Sequence, residues 1–344
     1  MKRIRMTHRT IFTAVAAIGI ALVTSLPAHA QETEQRTQVA RLPAEVKQSI
    51  NRGLEFFAKT QNKDGSWGEA NPTAGTALGL MSFMLQGHVP GEGKYGKHTA
   101  KAIDFILSVE KNGYFHHAKD RGMYEHGLAL LTLSEAWGQS KDKRIRPALI
   151  RAVNTTLNAQ GNDGGWRYAP HPPPSSDTSC SAMQLVALAS AREAGIAVPQ
   201  KQIQLAVDYF VACEVRSTGG FSYQMAAGAP MGGAGFARTA CSTLALMLSG
   251  QHKHPATRGG VAYLGASPDA VFENSGGNHF YGHYYAAQVM YQAGDKHFNK
   301  WYPKISKTLL ARQNEDGSWG NPVNTGFAIL TLGVPYRFLP IYQK

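Results

Sequence analysis

The chain has 344 residues, of which 43% are hydrophobic and 17% are charged, and its formal net charge is +12. The basic excess is spread along the sequence without a Lys/Arg run, so the composition argues against a nucleic-acid-binding protein. Three cysteines are an odd count and do not form the disulfide framework of a small exported protein. Roughly 300 residues can bury a large core, and we expect them to form one domain.

Residues 1–30 have the pattern of an export signal. Four basic residues precede an apolar run over residues 11–23, and residues 28–30 read Ala-His-Ala, a small-x-small cleavage site. The run is short for a membrane span, although a retained anchor is the alternative, and no stable span is expected after cleavage. We predict a periplasmic or secreted protein with a disordered stretch over 31–42 and a folded domain over 43–344.

A phrase that recurs along the chain sets the period. Residues 61–68 read QNKDGSWG, and residues 313–320 read QNEDGSWG. Each copy ends in an aromatic residue two positions after a glycine, and these aromatics are Trp67, Phe115, Trp166, Phe221 and Trp319. They are 48, 51, 55 and 98 residues apart, and the last step is about two periods. Self-similarity at a fixed long period indicates a repeat architecture, here of six units with a degenerate copy near 258–275.

Every unit predicts an outer helix, a Gly/Asp/Asn turn and a second, more apolar helix. The apolar segments are residues 74–86, 124–137, 178–194, 238–249, 281–293 and 325–332, and each ends at a glycine. The preceding segments carry charge on one side and span residues 45–60, 99–110, 146–159, 201–214 and 299–312. Apolar helices should be buried and amphipathic ones exposed. We therefore predict an all-α (α/α)6 toroid with inner and outer helices, and no strand pattern competes.

The inner helices of such a ring begin at one mouth of a central cavity, where their positive dipole ends favour an anionic or electron-rich ligand. Polar residues cluster at these starts. The candidate catalytic residues are Asp177, Glu125 and His126. The candidate ligand-binding residues are Arg238, His283, Tyr124, Tyr281, Tyr284 and Thr178. The alternatives are structural, because Asp177 can be an N-cap, the tyrosines can pack in the core, and the histidines can bridge helices.

The pattern Arg52-Gly53…Phe57…Gln61…Gly65…Trp67 resembles the QW motif, the prenyltransferase/squalene oxidase repeat of the terpenoid cyclase and protein prenyltransferase superfamily. The resemblance covers residues 45–333. It implies the toroid fold and an apolar cavity for an isoprenoid.

Members of this superfamily suggest two chemistries. In squalene–hopene-type cyclases an Asp-x-Asp-Asp-Thr segment protonates an alkene, and the matching residues here are 174–178, of which only Asp177 and Thr178 agree. Protein prenyltransferases hold zinc with Asp, Cys and a later His, and Asp177, Cys180 and His283 are similar in type but not in spacing. Zinc is the one cofactor implied, and only by this resemblance.

Two further interpretations stay open. A secreted polysaccharide-active toroid would use Glu125, His126 and Asp177 as acid or base. It would stack sugars on Tyr168, Tyr223, Phe280 and Tyr281. A non-catalytic toroid would only bind a lipid or a protein. The leading hypothesis is an exported terpenoid-cyclase-like toroid that binds an isoprenoid or another apolar small molecule, with no nucleic-acid partner and with catalysis undecided.

Overall fold

The computed structural model describes residues 42–117, 122–274 and 276–336, and the predicted export signal lies outside these ranges. The α-helices of the described chain are α1 (Ala44–Thr60), α2 (Pro72–Leu85), α3 (Gly96–Ser108), α4 (Gly122–Trp137), α5 (Ile145–Asn158), α6 (Thr178–Glu193), α7 (Gln200–Ala212), α8 (Phe236–Leu248), α9 (Pro255–Gly265), α10 (Asp269–Glu273), α11 (His279–Gln292), α12 (Asp295–Ala311) and α13 (Pro322–Gly333).

Six of these helices close into an inner ring. Each packs on the next in the order α2, α4, α6, α8, α11 and α13, and α13 packs back on α2. Six outer helices, α1, α3, α5, α7, α9 and α12, pack against this ring. The predicted (α/α)6 toroid is therefore confirmed, and α9 is the outer helix of the degenerate unit.

Hydrophobic patterning explains which helix lies in which layer. Every residue of α2 is buried, because an inner helix contacts neighbours on all sides. The outer helix α1 buries one stripe that includes Val46, Ile50, Leu54 and Phe57, which recur at helical spacing. The amphipathic outer helices thus enclose an apolar inner layer, as predicted.

The turn between the two helices of a unit requires glycine for two reasons. Gly65, Gly164 and Gly317 have φ of 93°, 89° and 90°, in the left-handed region. A Cβ at Gly65 would lie 2.3 Å from the carbonyl oxygen of Lys101 on the next outer helix, and at Gly164 it would lie 2.2 Å from that of Leu205. The aromatic that follows is anchored, as when Trp67 Nε1 donates to the Phe57 carbonyl at 2.7 Å. The turn therefore joins each unit to the next.

Short strands add a detail that the sequence pattern did not predict. The described chain contains three antiparallel hairpins. They are β1 (Glu110–Lys111) with β2 (Tyr114–Phe115), β3 (Glu214–Val215) with β4 (Gly220–Phe221), and β5 (Gln224–Ala226) with β6 (Ala229–Met231). Two of these hairpins replace a repeat turn, because their residues pair across it.

Two further observations concern the described residues. None of their helices is long and apolar enough to cross a membrane. Cys180, Cys213 and Cys241 are buried free thiols.

Candidate ligand cavity at the inner-helix N-termini

A cavity of about 750 Å³ opens where the inner helices begin. All six inner helices contribute side chains from their first turns or from the residue before them, for example Asn71, Ser179 and Asn324. The loops before α6, α8 and α11 complete the wall. This placement follows from the parallel course of the inner helices, whose N-termini lie together at one end of the ring.

The wall is largely aromatic and aliphatic. Its aromatic members are Tyr124, Tyr168, Tyr223, Phe236, Phe280, Tyr281 and Phe327. Leu128 and Met183 lie among them. The Tyr168 and Tyr223 hydroxyls are hydrogen-bonded to each other, so they tie the loop before α6 to the loop before α8. A concave surface that combines aromatic side chains with polar groups is the general form of a small-molecule site.

Two charged side chains line the described part of the wall, Glu125 and Arg238. The Glu125 side chain is nearly buried, and its Oε2 accepts a hydrogen bond from the main-chain N–H of His117 at 2.7 Å. Arg238, in the first turn of α8, donates from Nη2 to the Gly233 carbonyl at 2.9 Å, and its Nε makes no hydrogen bond. The cavity can therefore offer one acidic and one basic group to a ligand.

Asp177 lies behind the wall and caps α6. Its Oδ1 accepts a hydrogen bond from the Cys180 N–H at 2.8 Å, as an N-cap residue does. Oδ2 has no hydrogen bond of regular geometry, although the Tyr223 hydroxyl is near enough to lower the carboxyl's pKa slightly. Burial dominates and raises the pKa of Asp177 to about 6. Asp177 is thus a buried acid separated from the cavity by its lining.

Ser176 stands where the cyclase segment has its second Asp. Its hydroxyl donates to Asp163 Oδ1 at 2.6 Å, and its main-chain N–H donates to Asp163 Oδ2 at 2.9 Å. Ser176 is buried and has no acidic proton to give. The segment therefore acts here as a helix start, and the carboxyl group of Asp177 is the one acid among residues 174–178.

His126 bridges strand β2 and helix α5 outside the cavity lining. Its Nδ1 accepts a hydrogen bond from the Phe115 N–H at 3.3 Å, and its Nε2 pairs with Thr156 Oγ1 at 2.9 Å. Hydroxyl groups accept the same main-chain bond in other units, as Thr76 does from Trp67 and Ser181 does from Trp166. Burial lowers the pKa of His126 to about 4.

Three other candidate ligand-binding residues are also placed behind the wall. Thr178 Oγ1 donates to the Ser222 carbonyl at 3.0 Å. Tyr284 is buried with its ring 5.2 Å from that of Phe327. His283 donates from Nε2 to the Val271 carbonyl at 3.1 Å, and burial lowers its pKa to about 3. Of the predicted catalytic and ligand-binding residues, the cavity brings together Tyr124, Glu125, Arg238 and Tyr281. It also includes Tyr168, Tyr223 and Phe280, which were named for sugar stacking.

The residues suggested for zinc do not fit the metal. Among the described residues, no group of three or more His, Cys, Asp or Glu side chains could hold a metal ion. Cys180 Sγ is directed at the Arg167 carbonyl at 2.9 Å, while the His283 ring packs 5.5 Å from that of Trp301. The predicted zinc set of Asp177, Cys180 and His283 is therefore wrong, because helix capping and core packing direct these side chains to different surroundings.

Several wall residues were not predicted from the sequence. Phe236 and Phe327 are the main examples, and each lies within three positions of a polar residue at an inner-helix start. The i,i+3 spacing from Asn324 was a signal for Phe327, whereas the i,i+2 spacing from Arg238 gave none for Phe236. An aromatic residue in an apolar helix otherwise looks like core.

Solved structures of two kinds of protein resemble this closed double ring of helices over most of its length. The type II terpene cyclase MstE from Scytonema matches 86% of this chain and 100% of its own, with a TM-score of 0.58 and 15% identity. The α-1,6-mannanase GH76A of Salegentibacter sp. HEL1_6 matches 84% of this chain and 98% of its own, with a TM-score of 0.59 and 10% identity. At such low identity the likeness shows the fold alone.

Sequence comparison gives shorter matches. Mouse lanosterol synthase is 38% identical over 70 residues, which are 20% of this chain and 10% of the synthase. The human enzyme is 35% identical over 68 residues, which are 19% of this chain and 9% of the synthase. No protein-family model matches the chain. The structural matches therefore show that the chain has the α/α toroid fold, as its repeat predicts.

Proposed function

We propose that this chain is an exported α/α toroid that binds an isoprenoid-type ligand in the cavity at the inner-helix N-termini. The observation that carries the proposal is the wall itself, which surrounds about 750 Å³ with seven aromatic side chains. Small-molecule pockets span about 300–1,000 Å³, so the cavity suits one apolar molecule of moderate length. Aromatic rings also accommodate unsaturated chains through their faces.

The polar groups suggest how such a ligand is oriented. Arg238 lies at the start of α8, where its guanidinium has an Nε without a hydrogen bond. A carboxylate or a comparable anionic head group would satisfy it. The apolar chain would then extend over wall residues such as Phe327, Leu128 and Met183. MstE was solved in complex with geranylgeranyl dihydroxybenzoate, a ligand of this general kind.

We assign binding and no reaction. Asp177 lies behind the wall with Oδ1 engaged as a cap, and Ser176 offers no acid. Glu125 is the one carboxylate in the described lining, and its Oε2 is held by a main-chain N–H. Turnover by acid catalysis would therefore depend on Glu125.

A polysaccharide-active toroid is the second candidate, favoured by Tyr168 and Tyr223 in the wall and by the fold of the mannanase. Glycoside hydrolysis uses a pair of carboxyl groups about 5–10 Å apart that flank the scissile bond. The described lining offers Glu125 without a second carboxylate. The isoprenoid proposal agrees better with this wall.

Calorimetric titration of the purified mature chain tests the proposal. We expect micromolar binding of a C20 prenyl acid and no heat from α-mannan oligosaccharides. Val323→Trp should weaken binding at least about tenfold, because a half-buried wall residue would then fill part of the cavity. Ile150→Trp, on the outer helix α5, is the matched control and should bind normally. Equal affinity in all three proteins, or binding of sugars alone, would reject the isoprenoid proposal.

A further inference from the structure

The hairpin formed by β5 and β6 presents an uncharged, apolar surface beside the cavity. Residues 226–233 are all exposed, and they read Ala-Ala-Gly-Ala-Pro-Met-Gly-Gly without one polar side chain. Met231 is 50% exposed, more than any other large hydrophobic side chain of the described chain. Soluble surfaces rarely expose a continuous apolar segment unless it has a partner.

The tip of this hairpin also has an unusual residue for an exposed turn. Ala227 and Gly228 form the two-residue tip between the paired Ala226 and Ala229, with φ of 50° and 76°. Asn and Asp are the usual non-glycine residues in this left-handed conformation, since their side chains hydrogen-bond locally. Alanine accepts the strain there without that compensation. The tip therefore has an apolar side chain in a backbone conformation that Asn or Asp would adopt at lower energetic cost.

The base of the hairpin is built into the cavity wall. Tyr223 immediately precedes β5 and lines the cavity, and residues 235–238 line it again after β6. Gln224 fixes the first strand, because its Nε2 donates to Ser175 Oγ at 3.1 Å. Arg238 fixes the far end through the Gly233 carbonyl at 2.9 Å. An apolar tip thus stands on a rigid base that carries a guanidinium.

Charge supports one type of partner over others. No charged residue occurs between Arg216 and Arg238, and both of these flanking residues are basic. After the predicted export signal, the chain has 31 Lys and Arg residues against 23 Asp and Glu. An apolar insertion with a basic rim is the pattern that binds the interface of an anionic bilayer, where methylenes meet the acyl region and cations meet phosphate.

We propose that the β5–β6 hairpin docks the toroid on an anionic lipid bilayer, with Met231 and the alanine tip inserted in the interface and Arg238 at the level of the phosphates. The cavity mouth would then lie next to the membrane, and an isoprenoid could pass between the bilayer and the wall. Docking stands on the hairpin alone, whereas the passage of ligand also rests on the proposed function.

Vesicle flotation of the mature chain tests docking. The vesicles contain phosphatidylcholine with phosphatidylglycerol, and phosphatidylcholine alone is the comparison. We expect binding to the anionic vesicles and roughly tenfold weaker binding by Met231→Glu, because burying a half-exposed Met side chain contributes about that factor. Leu205→Glu is the matched control, since Leu205 is 39% exposed on the outer helix α7. It should float like the unaltered chain.

Other results overturn the inference. These are no flotation of the unaltered chain, equal loss in both variants, or no loss in Met231→Glu. A change of oligomeric state in Met231→Glu without lipid, seen by sedimentation velocity, would assign the hairpin to a second copy of the chain instead. Titration of all three proteins with prenyl acid in detergent keeps the two proposals apart. Normal binding without flotation rejects docking alone, and flotation without ligand binding rejects the proposed function alone.

Discussion

Gln313 and Ser49 close the ring between the last repeat and the first helix, although they are 264 residues apart in sequence. Gln313 Oε1 accepts a hydrogen bond from Ser49 Oγ, and its Nε2 donates to the Ser49 carbonyl, both at 2.8 Å. Gln61 and Gln160 make the corresponding donation to the next outer helix, at His98 and Gln202, both at 2.9 Å. The repeated glutamine therefore links neighbouring units, and at Gln313 the same link completes the circle.

Gln313→Ala tests the contribution of this closure. The change removes two hydrogen bonds to Ser49 and one to the Gly317 carbonyl, and it leaves partly buried acceptors unsatisfied. We expect the free energy of unfolding to fall by about 2–3 kcal/mol, measured by denaturant titration. Gln160→Ala removes two such bonds, to the Gly164 and Gln202 carbonyls, and should cost about 1–2 kcal/mol.

Gln204→Ala is the control for these variants. Gln204 donates to Asp208 on the exposed face of α7, within a single helix, and its loss should change stability by less than about 0.5 kcal/mol. A Gln313 variant as stable as this control would mean that the ring closes through helix packing alone.

The fold was predictable because its determinants are local and repeated. Gly65 and Gly317 recur in phase since each must adopt a positive φ and approach the backbone of the next outer helix. The apolar pattern then assigns each helix to a layer. The sequence of the unit that contains α9 lacks the glycine and aromatic pair that marks the turns of the other five units. Its position was predicted only from the spacing of those five turns.

The site was less predictable because a residue at the start of an inner helix can face either the cavity or the surrounding helices. Asp177 precedes α6 as its N-cap and Glu125 is the fourth residue of α4, and of the two only Glu125 lines the cavity. His126 performs a bridging task that Thr76 performs elsewhere, and no local pattern distinguishes such a histidine from a reactive one. Only the rotation of each helix about its axis decides which side chains face inward.

Arg238→Gln tests the orientation of the ligand. A charge-assisted hydrogen bond contributes about 1.5–3 kcal/mol, so the variant should bind a prenyl acid roughly tenfold or more weakly. Binding of the corresponding prenyl alcohol, which has no charge to pair, should change little. Isothermal titration calorimetry measures both affinities in each protein.

Arg238 also holds the Gly233 carbonyl, and the alcohol is the internal control for that contact. Equal loss of affinity for acid and alcohol would show that Arg238 supports the wall without binding the head group. Arg238→Lys keeps the charge but not the planar fork, and we expect it to restore the acid's affinity only in part.

Asp177→Asn separates helix capping from acid chemistry. Burial raises the carboxyl's pKa from 3.8 to about 6, so the folded state binds the proton more tightly than the unfolded state. Stability from this group is therefore greatest below pH 4 and falls as pH rises through the window from 4 to 6. Asparagine caps helices as well as aspartate and carries no charge. We expect the free energy of unfolding of the variant at pH 7 to be roughly 2–3 kcal/mol higher than that of the unaltered chain. This difference should vanish near pH 4.

Denaturant unfolding at several pH values measures this difference directly. Protonation of the buried His126, His279 and His283 destabilises the fold in acid, since their pKa values are lowered. This effect is equal in both proteins and therefore cancels in the difference between them. Asp177→Ala provides the contrast, because losing the cap should cost about 1 kcal/mol. If Asp177→Asn is destabilised at pH 7 as much as the alanine variant, the charge itself is needed in the fold, and the neighbouring Arg167 is the group that would stabilise it. If the Asp177→Asn protein is more stable and binds the ligand normally, the role of Asp177 is to cap the N-terminus of α6.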